Sequence, residues 1–103
     1  MQAHPNRIDI IESAHGWFVT GEIDVLTSLE LTEAFANLPD VTKGPVEVDL
    51  AGVTFIDSSG LRVLLELADR VEATDRTTVI RNPSPTVTRL LAITQLESRF
   101  GLT

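Results

Sequence analysis

Between Val46 and Arg70 the chain changes its hydrophobic period once. Val46, Val48 and Leu50 alternate with Glu47 and Asp49, the two-residue spacing of a strand with a buried face. After a short loop, Leu61, Leu64, Leu65 and Ala68 recur at helical spacing, and Val71 extends the stripe. The pattern predicts a strand, a loop and an amphipathic helix running to about Ala73 that opens on Asp57-Ser58-Ser59-Gly60. Val63 and Leu67 fall beside the stripe. They either widen the core face or offer an exposed apolar contact to a partner. Glu66 precedes Arg70 by four residues, the favourable order for an exposed ion pair.

The flanking segments fill in the same kind of architecture. Arg7 to Glu12 reads as a first strand and Trp17 to Thr20 as a second. Ser13-Ala14-His15-Gly16 is the turn of a hairpin, with Gly16 free to take positive φ. Gly21-Glu22-Ile23-Asp24 follows. Thr27 and Glu30 have capping-box spacing, so a helix starts near Thr27, buries Leu31, Ala34, Phe35 and Leu38, and stops before Pro39. Asp40 to Gly44 is a loop. Thr77 to Arg81 is a further strand, and Ser84-Pro85 opens a last helix with Val87, Leu90 and Leu91 inward. Glu97 to Phe100 is a candidate final short strand. The order β-β-α-β-α-β-α-(β) implies one α/β domain with a partly parallel sheet covered by helices.

Composition narrows what such a domain can do. The 103 residues suffice for one hydrophobic core, and 43% of them are apolar. The absence of cysteine removes disulfides, thiol catalysis and thiolate metal sites, and fits a reducing compartment. No apolar run approaches the roughly 20 residues that span a bilayer, and the polar start, MQAHPNR, is no signal peptide. Neither a membrane span nor a membrane partner is expected. With His4 and His15 the only histidines, no histidine metal cluster is expected either, and nothing calls for a cofactor. Net charge is −7, unevenly placed: residues 1–57 carry ten acids against Arg7 and Lys43, residues 58–103 five acids against six arginines. That surface repels phosphate backbones and argues against direct nucleic-acid binding, while a basic protein partner is compatible with it.

Candidate chemistry concentrates at the start of the second helix, where two hydroxyls and a carboxylate meet unpaired backbone N–H groups. A nucleophilic serine needs a base and an oxyanion hole. The residues around Ser58 are not the G-x-S-x-G elbow, and neither histidine has a group to orient it, so hydrolase activity is not expected. A phosphate loop of the G-x-x-x-x-G-K-[ST] kind is absent as well. Two readings remain open from spacing. Asp57, Ser58 and Ser59 are ordinary capping residues, each worth about 1 kcal/mol. Gly60, however, is a poor helix residue that a plain cap does not require, and it leaves room for another group to approach. Alternatively Ser58 is a phosphorylation switch. A helix N-terminus accepts a phosphate without unfolding, while the added charge beside Asp57 repels a partner packed there.

These residues resemble a known family. Gly21-Glu22-Ile23-Asp24, Asp49-Leu50, Phe55-Ile56-Asp57-Ser58-Ser59-Gly60-Leu61, and Ser84-Pro85 with Val87 and Leu90 look like the STAS domain, closest to the free-standing bacterial anti-sigma factor antagonists. The resemblance spans roughly residues 6 to 100. It implies a mixed sheet of about four to five strands covered by about three to four helices. It also implies a non-enzymatic, cytoplasmic protein that binds an anti-sigma factor serine kinase of the Bergerat ATP-binding fold and so frees a sigma factor. Phosphorylation on Ser58, with Ser59 the less favoured acceptor, ends that binding, and a PP2C-type phosphatase restores it. The resemblance places the partner surface on Glu22, Asp24, Asp57, Ser58, Ser59, Gly60, Leu61, Val63 and Leu67. A STAS module for a stressosome-like, lipid-transport or nucleotide-sensing complex is the alternative. Monomer and weak dimer are both open. Gln95 stands where relatives often have Gly, so the end of the last helix is expected to be built differently.

Overall fold

The computed structural model describes residues 7–39 and 44–102. Four strands form one sheet in the order β1 (Ile8–Ser13), β2 (Gly16–Ile23), β3 (Val46–Ile56), β4 (Thr78–Arg81). β1 and β2 are an antiparallel hairpin, and β2, β3 and β4 run parallel. Parallel neighbours need crossovers, and these are helices α1 (Thr27–Ala34) and α2 (Ser58–Glu72). A third helix, α3 (Pro85–Thr94), follows β4. The expected α/β architecture is the observed one, with four strands and three α-helices among the described residues.

The core is one cluster. Trp17 and Val19 of β2, Val46, Val48 and Leu50 of β3, Ile80 of β4 and the α2 stripe meet in it. Trp17 stacks on Phe35 just past α1, with ring centroids 4.5 Å apart and planes tilted by 49°. Phe35 and Leu31 are buried, while Ala34 and Leu38 are only partly so.

Several boundaries differ from the sequence reading, each for a physical reason. β2 does not end at Thr20 but continues through Gly-Glu-Ile to Ile23. β3 does not end at Leu50 either: the stretch expected to be a loop is strand up to Ile56. Register slips between Phe18 and Thr20, and again between Gly21 and Glu22, give β3 one extra residue each time. These bulges break the two-residue period, so the inward positions run Leu50, Val53, Ile56. Gly16 lacks the expected positive φ. It is needed because a Cβ there would lie 1.7 Å from the Glu47 carbonyl oxygen.

Glu97–Phe100 is not a strand. Ser98–Phe100 is a single 3₁₀ turn closed by Gly101 at φ 73°. The chain satisfies its own carbonyls there, with Phe100 N–H donating to Glu97 O and Gly101 N–H to Ser98 O. Phe100 is thereby buried, and Arg99 reaches Asp69 and Glu72 of α2. Gln95 takes the left-handed cap itself, φ 59° and ψ 40°. The end of α3 therefore keeps the geometry a glycine would adopt, at a local cost of roughly 1–2 kcal/mol. Arg70 does not pair with Glu66. Its guanidinium donates to the carbonyls of Phe35 (2.7 Å) and Ala36 (2.9 Å), and so closes the C-terminal end of α1. Residues 40–43 of the expected loop and His4 lie outside the described residues.

Candidate functional site

The parallel strands β2 and β3 end side by side, Ile23 opposite Ile56, and both crossover helices start from that edge. Asp57 N–H donates to Ile23 O, which ties the two strand ends together. The carboxyl ends of parallel strands are where open α/β sheets present their sites.

On β2 the turn into α1 is held by a reciprocal cap. Asp24 Oδ1 accepts from Leu26 N–H and Thr27 N–H, both at 3.0 Å, while Thr27 Oγ1 accepts from Asp24 N–H at 2.8 Å. The capping box is thus Asp24–Thr27, one turn before the predicted Thr27–Glu30. Arg7 lies 2.5 Å from Asp24 and 3.7 Å from Glu22. The Thr27 backbone bond, followed by the Arg7 charge, holds the Asp24 carboxyl below its ordinary value against the opposing effect of desolvation. A depressed carboxylate stabilises the fold above its unfolded pKa and loses that contribution as pH falls through the folded one. Asp24→Asn should therefore be less stable than wild type at neutral pH. The gap should close as urea unfolding is repeated down through about pH 4 and below. A gap that stays constant into acid would contradict this role for the carboxylate.

On β3 the equivalent cap is Asp57, whose Oδ1 accepts from Ser59 N–H (2.9 Å) and Gly60 N–H (3.4 Å). Ser58 follows as the first residue of α2 and is exposed, whereas Ser59 is half-buried. A Cβ on Gly60 would lie 2.5 Å from Ile23 Cγ2 and 2.8 Å from Ile56 Cγ1. The approach that this glycine permits is to the core beneath it. Gly60→Ala should cost about 1–2 kcal/mol, overpacking outweighing the gain in helix propensity. Urea denaturation checks the figure, and a stabilised variant would refute the contact.

The nine residues assigned to the partner surface divide in two. Glu22, Asp24, Asp57, Ser58 and Ser59 come together at the strand ends. Gly60, Leu61, Val63 and Leu67 are buried. Val63 is 7% exposed and Leu67 1%, because α1 packs along that flank of α2. Both widen the core face, and Val63 also lines the groove beside Ser58. Exposed apolar side chains beside the site lie on α1 and its approach, where Val25, Leu26 and Leu29 are 64, 68 and 65% exposed, and at Phe55 near the end of β3; Ile11, Phe18 and Ile93 are exposed elsewhere. Val25, Leu29, Ser58, Ser59 and Arg62 line one groove of about 320 Å³ between the helices. The sequence held a signal for this patch, since Val25, Leu26 and Leu29 stand off the Leu31–Phe35 stripe. Among the described residues no cluster of three metal-ligating side chains occurs, and no helix is long and apolar enough to cross a membrane.

The sheet order, the paired strand ends and the capped Asp-Ser-Ser-Gly helix start define a STAS-type domain. The family model described as Mlab, STAS domain, matches residues 18–102, and the chain belongs to this family. Among its relatives, the chain is 33% identical over 79 residues to the anti-sigma-B factor antagonist of Staphylococcus epidermidis, covering 77% of this chain and 73% of that one. It is 30% identical over 99 residues to a STAS-domain containing protein of Pseudomonas aeruginosa, covering 92% and 97%. An anti-sigma factor antagonist from Mycobacterium paratuberculosis superposes with a TM-score of 0.68 at 25% identity, over 91% of this chain and 81% of the other. The fold is also that of SpoIIAA in its unphosphorylated form, with a TM-score of 0.63 at 20% identity over 88% and 83% of the chains.

Proposed function

We propose that this protein is a cytoplasmic anti-sigma factor antagonist without catalytic activity of its own. Unphosphorylated, it binds an anti-sigma factor that is also a serine kinase, and so frees a sigma factor. Phosphorylation of Ser58 ends the binding, and a PP2C-type phosphatase reverses it. The observation that carries the reading is the exposed Ser58 hydroxyl, set at a helix start in one groove with the exposed Val25 and Leu29. A kinase reaches that hydroxyl, and a bound partner covers it. The relatives named anti-sigma factor antagonists support the same reading. Ser59, half-buried, is the poorer acceptor.

The test is ATP-driven release. With Ser58→Ala as bait, a kinase captured from lysate should stay bound when ATP and magnesium are added, while wild type lets go. Release of the alanine variant at the wild-type rate would remove Ser58 from the switch. If Ser58→Ala and Ser58→Glu baits recover the same partners and no kinase is among them, the domain serves another complex.

A further inference from the structure

Arg62 lies one helical turn after Ser58 and lines the same groove. It is exposed, and it takes part in none of the ion pairs among the described residues, which engage Arg7, Arg81 and Arg99. One acid and one candidate acceptor of an anion are within helical reach of it, four residues to either side. Glu66 follows at i+4, the unfavourable order of base before acid, and the two are not paired. Position 58 precedes at i−4, where an acid would stand in the favourable order. Side chains of a helix lean toward its N-terminus, so a side chain as long as Arg62 is able to reach back to the turn that holds Ser58. Its planar fork matches two phosphate oxygens. Among the described residues no other lining residue of the groove is a cation: α1 contributes Ser28, Leu29 and Thr32, and α2 adds Val63 and Glu66.

Resting on the reading of Ser58 as phosphoacceptor, we propose that Arg62 is the internal counter-ion of phosphorylated Ser58. The modification then acts twice. It places a dianion in the groove, and it withdraws from any partner the one cation among the described residues that line the groove. In the unphosphorylated protein Arg62 is free to meet an acidic group of the partner. The charged groups around the phosphate are Asp57 at the cap, Glu66 one turn beyond Arg62, and the Asp24–Arg7–Glu22 cluster at the end of β2.

The test installs phosphoserine at position 58 during translation, so it does not depend on any kinase. Phosphorus NMR then follows the second ionisation of the phosphate in the full chain. A free phosphoserine titrates near about pH 6. Wild type should titrate about 0.5 unit below Arg62→Gln, with Arg62→Lys between them. The difference should shrink in about 1 M salt. The helix N-terminus and Asp57 are the same in all three proteins, so the difference isolates the arginine. Coincident titrations of wild type and Arg62→Gln would overturn the counter-ion. Failure of the captured kinase to phosphorylate wild-type Ser58 would instead overturn the reading of Ser58 and leave the titration result standing.

Discussion

Phosphoserine at position 58 should weaken partner binding about a hundredfold, a loss of about 3 kcal/mol, while leaving the fold as stable as before. Ser58→Glu should lower it about tenfold, since it carries one charge where a phosphate carries nearly two. The two halves of this expectation have separate causes. Ser58 is the first residue of α2, where the helix dipole favours an anion by about 0.3–1 kcal/mol, while the Ser59 and Gly60 N–H groups stay with Asp57. The melting temperature should therefore hold or rise slightly. The binding loss comes from what surrounds the site. Val25 and Leu29 line the groove with Ser58, so a partner seated on them must strip water from the phosphate. A phosphate left facing solvent would be screened over about 8 Å at physiological salt and could not supply that energy. Isothermal titration and thermal melting on the same samples read both halves. Unchanged affinity would place Ser58 outside the contact. A large drop in melting temperature would mean that the affinity loss reflects unfolding.

The sequence held this site's chemistry better than its surface. Asp57, Ser58 and Gly60 could be read because each makes a local demand: a cap acceptor, a helix start, a missing side chain. The hairpin and the crossover order followed from period in the same way, and the start of α1 fell at the expected residue although the cap that holds it is Asp24–Thr27 and not Thr27–Glu30. What escaped depends on contacts distant in sequence. The length of β3 was hidden because two bulges against β2 shift its inward positions to Leu50, Val53 and Ile56, and no alternation survives. The Arg70 guanidinium answers carbonyls 35 and 34 residues away, so the nearer Glu66 was a false guide. Glu97–Phe100 offered one apolar residue in four, too little to separate a strand from the 3₁₀ turn that buries Phe100. Val63 and Leu67 were ambiguous for a related reason: the flank of a helix is core or surface according to whether another helix lies along it.

That ambiguity gives the second large expectation, a pair of substitutions on facing helices with opposite effects. Leu67→Ala should cost about 2–5 kcal/mol of stability, the range for deleting a buried leucine with partial collapse of the cavity. At neutral pH it should change partner affinity little, so long as the protein remains folded. Leu29→Asp should do the reverse. Leu29 is on the exposed side of α1, so stability should stay within about 0.5 kcal/mol. Affinity should fall tenfold or more, because a charge replaces an apolar anchor in the groove beside Ser58. Urea unfolding and partner titration on both variants make a two-by-two comparison. If Leu67→Ala left stability intact and weakened binding, α1 would not cover that flank of α2 in solution. If Leu29→Asp bound as well as wild type, the partner would approach the serine from the strand ends, over Glu22 and Asp57, with α1 outside the contact.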